Sequence, residues 1–351
     1  MRIHTTDLGH RFVTGSRRRP IATPQSHPHL FKSVADFGDL PAAPSSFDYF
    51  GASAAAQSNI LLNGGDPVVI DGKEVGPLGD CTAAGACHIV ECVTGLAGDP
   101  VVFDDAHCCT FYSQSTGYVL GDPSTDQGGD EVTVLTSWRD RGLDGKGAHR
   151  ILGFLAVPLV AETIKRVCHV FENLYFGLEL SAGWMNLAYQ NGYVWSGGTP
   201  DPSEGHCVVA GGADEKGPKI NSWGMLGTIT YDATIQYCAQ KAGGTLFVVI
   251  TREVLGRAKL KTPEGFDFPA LEQWFDRLGG HVPVDTAAPA PSLLQRIEQE
   301  AEAVVQDVER IFAPAPQSPQ DASAPPEPPA PEPAHPDAAP GGSDGAPGGQ
   351  P

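Results

Sequence analysis

The sequence predicts an α+β fold, with helical material early in the chain and strands late. Three stretches carry that prediction. From Gly79 to Val93 small residues give way to apolar ones, and Ala84, His88, Ile89 and Val93 recur at three- and four-residue steps, the spacing of a buried helix that opens at Cys81. Gly205–Gly212 and Lys219–Gly224 read as short strands joined by a Gly-Ala-Asp-Glu-Lys-Gly turn. Thr245–Ile250 is an apolar run of buried-strand length.

Residues 1–40 form a polar arm rich in His, Ser, Thr and Pro, with one apolar turn near Phe31–Phe37 and no apolar core of a signal peptide. Asp66–Val75 reads as a hairpin about Asp71-Gly72. After the Cys81 helix a loop carries Cys108-Cys109, and Gly128-Gly129 leads into a helix ending near Trp138. Ile151–Val157, Ala161–Phe171 and Leu174–Leu180 read as strand, helix and strand, and Ser196–Gly205 as a polar loop, with Asp201, Asp214 and Glu215 in solvent-facing turns. Tyr231 and Ile235 belong with the later strands. Pro269–Leu278 is a short amphipathic helix closed by Gly279-Gly280. A second helix starts at Ser292 with Gln295 completing a capping box; its apolar seam (Leu294, Ile297, Ala301, Val304, Val308, Ile311) spans under three heptads. Residues 292–312 therefore suit self-association or docking on their own domain. From Ala313 onward the tail holds 13 of the 31 prolines with Ala, Gly and Glu, a composition that buries no core.

Charge excludes some functions. With a net charge of −19 and its one basic cluster, Arg17-Arg18-Arg19, in the polar arm, the chain lacks the surface that binds nucleic acid. The longest apolar run, Ile151 to Val160, is too short to span a membrane and contains Pro158. At 351 residues and 41% hydrophobic there is material for a two-lobed core of about 250 residues plus appendages.

Chemistry centres on Cys81. Free amide hydrogens and the positive helix end favour thiolate over thiol in a first turn, which makes Cys81 a candidate nucleophile. It needs a base, and antiparallel pairing of the two late strands sets His206 beside Asn221. A metal site is the competing use of these side chains: His88 and Cys92 are four apart on a helix, with Cys108-Cys109 within reach. No C-x₂-C pair is present, however, so His88 is expected as a hydrogen-bonded core residue and no metal or other cofactor is implied. A chain this long needs no disulfide staples, and Cys87, Cys92, Cys168, Cys207 and Cys238 read as small buried apolar residues.

The order Cys81, His206, Asn221, with Asn221-Ser222-Trp223-Gly224 around the last, resembles the papain-like cysteine peptidases. His206 and Asn221 follow Cys81 by 125 and 140 residues (206 − 81 and 221 − 81), against roughly 130–150 in the known pattern. The resemblance covers about residues 40–255 and implies a papain-like two-lobed fold: a helical lobe with the Cys-bearing helix at its centre, and an antiparallel β-barrel-like lobe. Leu40–Tyr49 is similar to the opening of that family's mature domain, so the catalytic domain is expected over 41–260, followed by a helical extension (261–312) and the tail (313–351).

The family's roles fall on Cys81 as nucleophile, His206 as base, Asn221 as its orienting partner, Trp223 as shield of the His206–Asn221 hydrogen bond, and Gly128 and Gly129 as backbone partners of substrate. Without the resemblance, Gly128-Gly129 is a helix-leading turn. The family's oxyanion glutamine position is Val75 here. Asn63 is the substitute donor beside the Cys81 backbone amide, or else a loop former before Gly64-Gly65. The family's usual disulfide positions are Leu78 and Asp126, as expected of an intracellular relative, and Thr82 stands where the family has Trp.

The Gly-Asp-Cys-Thr-x-Ala-x-x-x-His segment is also similar to uncharacterised bacterial and phage proteins, implying a cytoplasmic or phage-associated setting. Three functions follow. The first is a thiol hydrolase acting on peptide or isopeptide bonds of a peptide or protein substrate. The others are a catalytically silent binding or structural module of an assembled particle, and an acyltransferase of transglutaminase type.

Overall fold

The computed structural model describes residues 2–5, 11–14, 32–52, 61, 67–185, 187, 192–239, 242–262 and 265–278. Asn63, the 292–312 helix and the Pro-rich tail lie outside the described residues. Two units are distinguished, Met1–Val284 and Asp285–Pro351, and the described residues all belong to the first.

The chain is α+β. Its elements run β1 (Arg2–Thr5), β2 (Arg11–Thr14), β3 (Phe47–Asp48), α1 (Tyr49–Ala52), β4 (Val68–Ile70), β5 (Lys73–Val75), α2 (Cys81–Leu96), α3 (Asp105–Thr116), α4 (Glu131–Arg141), β6 (Gly153–Ala156), α5 (Ala161–Phe171) and β7 (Leu174–Glu179). They continue through α6 (Ala182–Met185), β8 (Tyr193–Trp195), β9 (Gly205–Ala213), β10 (Pro218–Ser222), β11 (Met225–Ile229), α7 (Tyr231–Tyr237), β12 (Thr245–Ile250), α8 (Arg252–Lys261) and α9 (Phe268–Arg277).

Eight strands form one sheet in the order β6-β12-β7-β9-β10-β11-β8, with β3 added to the far end of β9. Pairing is antiparallel except between β11 and β8. Among the described residues no pairing joins β6 to β8, so the sheet is open where a barrel-like lobe was expected. β4 and β5 make a separate hairpin, as the Asp-Gly signal requires: Asp71 (φ 49°) and Gly72 (φ 74°) both take the left-handed conformation of a type I′ turn. Among the described residues β1 and β2 pair with each other and with no other strand, in a segment that the sequence presents as a polar arm.

α2 is the axis of the helical part, buried at every residue from Cys81 to Thr94, with only its last two residues half-buried. α3 and α4 pack beside it, and α3 occupies what the sequence reading left as a loop. Asp104 caps α3 by accepting the His107 N–H, and Gly117 (φ 82°) ends it. The segment between is poor in strong helix formers and buries Cys108, Cys109, Phe111 and Tyr112, which do not form a clean apolar stripe. Helix α7 likewise takes the place of expected strand material, and α8 carries no clear sequence signal.

A buried ion cluster fixes the far end of α2. Glu172, at φ 62° just after α5, is 2% exposed and receives Arg257 through Nε and Nη2 and Lys261 through Nζ, while Arg257 Nη2 also donates to the Val93 carbonyl. The charged hydrogen bonds hold a left-handed backbone that a side-chain-bearing residue rarely adopts.

Where α2 crosses β9, residue 85 is glycine. A Cβ there would lie 3.1 Å from Val209 Cγ1 and 3.4 Å from both Cys207 Sγ and Tyr175. Tyr175 on β7 donates its hydroxyl to the Thr82 carbonyl at 2.8 Å, tying the first turn of the helix to the sheet. Overpacking such a contact typically costs about 1–3 kcal/mol, beyond what better helix propensity returns. Gly85→Val is therefore expected to lower urea-denaturation stability by about that amount; a variant as stable as the parent shows that α2 is not held this closely.

Candidate active site

Cys81 is the first residue of α2 and is 4% exposed. The backbone N–H of Cys207 donates to its sulfur at 3.3 Å. His206, the neighbour of Cys207 on β9, is 2% exposed and sits opposite Leu178 of β7. Cys81, His206, Asn221, Ser222 and Trp223 line a single cavity of about 20 Å³, room for one water. Sequence positions more than a hundred residues apart are thus brought together by α2 lying across β9.

The imidazole partner differs from expectation. His206 Nε2 is 2.9 Å from the Ser222 hydroxyl, not in a hydrogen bond with Asn221, and the buried His206 Nδ1 has no hydrogen-bond partner among the described residues. Asn221 pairs with Val209 across β10 and β9 and reaches the same cavity. Trp223, in the left-handed region at φ 52°, lies flat on the imidazole with ring centroids 4.4 Å apart and planes at 16°. It covers His206 itself, and Trp195 packs edge-on against Trp223 with ring centroids 6.1 Å apart.

Burial dominates the electrostatics. It pushes the Cys81 thiol up to about 12, with the Asp80 and Glu131 carboxylates adding to the rise and the Cys207 N–H opposing it. It also presses His206 down to about 3. In this arrangement both are neutral near pH 7, so the thiolate that the helix end favours is not the resting form. All eight cysteines are free and buried. Among the described residues no three His, Cys, Asp or Glu side chains are grouped to hold a metal ion, and no helix is long and apolar enough to cross a membrane.

Gly128 and Gly129 line a separate depression with Ser115, Thr116, Asp130 and Thr133, about 100 Å³ in volume. Gly129 borders the Cys81 helix, because a Cβ on it would strike Thr82 Oγ1. Gly128 (φ 74°) donates its N–H to the Tyr112 hydroxyl at 3.0 Å. Tyr112 donates in turn to Asp126 Oδ1 at 2.5 Å, and both Asp126 oxygens accept the Gly79 N–H, at 3.3 and 3.1 Å. This buried carboxylate links the segment ahead of Cys81 to the one ahead of Gly128.

Sequence reasoning missed Ser222, the Cys207 amide and the Asp126 network. Ser222 adjoins Asn221 in the motif, but a strand neighbour is first read as facing away. A backbone donor and a loop carboxylate leave no pattern at all.

No protein-family model matches the chain, and no curated protein matches it. Among solved structures it is similar to xylellain, a cysteine protease from Xylella fastidiosa, with 15% identity and a TM-score of 0.39 over 63% of this chain and 97% of that one. It is similar also to the Carica candamarcensis cysteine protease CMS1MS2 in complex with E-64 (16% identity, TM-score 0.39, 59% of this chain and 99% of that one). Digestive procathepsin L 3 of Tenebrio molitor is a third (12% identity, TM-score 0.41, 68% of this chain and 83% of that one).

The His206 shift has a consequence for stability. Between about pH 6.5 and about pH 3 the unfolded chain binds a proton that the folded imidazole refuses, so this contribution is complete above pH 6.5 and is lost as pH falls. The slope is about 1.4 kcal/mol per pH unit inside that window. Urea titrations of the parent and His206→Gln across it should differ by that slope; parallel curves contradict a buried neutral imidazole.

Proposed function

We propose that the chain is a thiol hydrolase of papain-like type that cleaves peptide or isopeptide bonds in a peptide or protein substrate. The observation that carries this reading is the meeting of the Cys81 sulfur, at a helix start, with His206 in one cavity. In the tautomer with the ring hydrogen on Nε2, which lies 2.9 Å from the Ser222 hydroxyl, Nδ1 is the base that takes the Cys81 proton. Each charge is costly here alone, so thiolate and imidazolium form together, as a pair. Ser222 takes the place on the ring that the third member holds in a serine triad, Trp223 stacks on its face, and Asn221 lines the same cavity from β10.

The thiolate attacks the acyl carbon. The Cys81 amide, with Asn63 as the candidate side-chain donor, stabilises the oxyanion. His206 then protonates the leaving amine, and water hydrolyses the thioester. Gly128 and Gly129 offer backbone to the extended substrate.

A second reading, a silent binding or structural module, is favoured by the closure of the site: Cys81 and His206 are nearly inaccessible, both are held neutral, and the space between has room for one water. Because all eight thiols are buried, selectivity separates the two. Iodoacetamide should label Cys81 at least about tenfold faster than the other cysteines, and His206→Ala should slow that labelling by a similar factor. Uniform labelling, or labelling indifferent to His206→Ala, supports the module.

A further inference from the structure

The depression beside Gly128-Gly129 is one-sided in its hydrogen bonding. Ser115 and Thr116, in the last turn of α3, donate their hydroxyls to the Phe111 and Tyr112 carbonyls at 2.7 Å each. Thr133, in the first turn of α4, donates its hydroxyl to Asp130 Oδ1 at 2.8 Å, and the same oxygen accepts the Thr133 N–H. A hydroxyl has one hydrogen, and a carbonyl or carboxylate only accepts, so all three hydroxyls are spent as donors and keep lone pairs. Gln127 Nε2 is turned to the Ser124 carbonyl at 3.1 Å, and the Gly128 N–H is taken by Tyr112. Among the described residues Asp130 Oδ2 accepts no hydrogen bond.

Charge points the same way. The negative end of α3 meets the depression at Ser115 and Thr116. The positive end of α4 opposes it, but that end is already covered by the Asp130 cap and by Glu131 in its first turn. A net charge of −19 adds a long-range pull on cations. An occupant must therefore bring donors, and a positive charge is favoured over a negative one. Its shape follows from the acceptors. Asp130 Oδ1 is committed to Thr133, so the carboxylate has one oxygen to offer, where the planar fork of a guanidinium wants two. Separate acceptors on Asp130, Ser115 and Thr133 suit the three hydrogens of an ammonium. The space of about 100 Å³ takes the end of a side chain, against about 300 Å³ or more for a pocket that holds a whole small molecule.

Building on the hydrolase reading, we infer that this depression selects a lysine side chain of the peptide substrate, with Asp130 as the specificity-determining residue. Gly129 borders the first turn of α2 at Thr82, the residue next to Cys81. A peptide laid along Gly128-Gly129 with its acyl carbon at Cys81 thus passes the depression, and the Gly129 N–H serves its backbone. The lysine ammonium donates to Asp130 Oδ2, with the Ser115 and Thr133 oxygens as further acceptors. The selected lysine stands at one fixed position from the bond that is cut. Specificity here is a matter of binding alone, and the roles of Cys81 and His206 are unchanged.

The test labels Cys81 in the full chain with tetrapeptide chloromethyl ketones and follows the rate by mass spectrometry. One position at a time carries Lys, norleucine or Glu in an alanine background. At a single position Lys should label at least about tenfold faster than norleucine, with Glu slowest. Asp130→Asn keeps a helix-capping residue and removes the charge, and should bring the Lys-to-norleucine ratio there to within about twofold of one. The ratio is internal to each protein, so a general loss of reactivity does not move it. If the variant does not fold, the parent decides: raising NaCl from about 20 mM to about 500 mM should lower the ratio at that position at least about threefold, and an unmoved ratio overturns the inference. A Lys preference spread evenly over all positions reflects net charge and overturns it too, as does a ratio unchanged in Asp130→Asn. Labelling with no Lys preference at any position defeats this inference alone. If no peptide labels Cys81, the hydrolase reading falls, and NMR of methyl-labelled threonines decides this one: Ala-Lys-Ala amide should shift Thr116 and Thr133, and Ala-norleucine-Ala amide should not. Equal shifts, or none, overturn it.

Discussion

Helix α2 approaches β9 closely enough to share a site with it because residue 85 lacks a side chain. The Val209 methyl, the Cys207 sulfur and the Tyr175 ring occupy the volume a larger residue would need. Two hydrogen bonds then set the height of the helix along the strand: the Tyr175 hydroxyl on the Thr82 carbonyl and the Cys207 amide on the Cys81 sulfur. Every other feature of the site inherits this crossing. The imidazole shares a cavity with the sulfur because residues 206 and 207 are consecutive on the strand that the helix meets, and the indole of Trp223, just past β10, stacks on the ring.

The opposite end of α2 is held by chemistry of another kind. There Arg257 and Lys261 converge on a buried carboxylate, and Arg257 extends to the helix carbonyl at Val93. Close apolar contact at one end and charged hydrogen bonds at the other leave the helix little freedom to slide or rotate. A thiol at the first residue of such a helix is positioned by the whole length of the element, since packed interiors transmit displacement with little loss.

Legibility in the sequence followed periodicity. The apolar run Thr245–Ile250 became β12 with the same bounds, and the spacing of Ala84, His88, Ile89 and Val93 marked α2 correctly. Asp71-Gly72 announced its hairpin because few residue pairs tolerate that turn. Helix α3 was lost because its buried face is made of Cys, Tyr and Ser as well as Phe, and it is the capping Asp104, not amphipathicity, that marks its start. Barrel closure was an import from resemblance, and among the described residues the strands form an open path. Around the cavity, Cys81, His206 and Asn221 were legible from the sequence and the groups packed against them were not. Ser222 and the Cys207 amide meet His206 and Cys81 only through where the fold puts them, and nothing in a one-dimensional string records that an amide points at a sulfur.

The Asp126 contacts show what this fold does without a covalent clasp. A disulfide between two loops restricts the unfolded ensemble and so lends stability before any native contact forms. A carboxylate that gathers one amide and one phenol does neither until folding is nearly complete. Such a fastening is indifferent to reducing agents and reopens on every unfolding event, so the alignment of the loop ahead of Cys81 is renewed each time the chain folds.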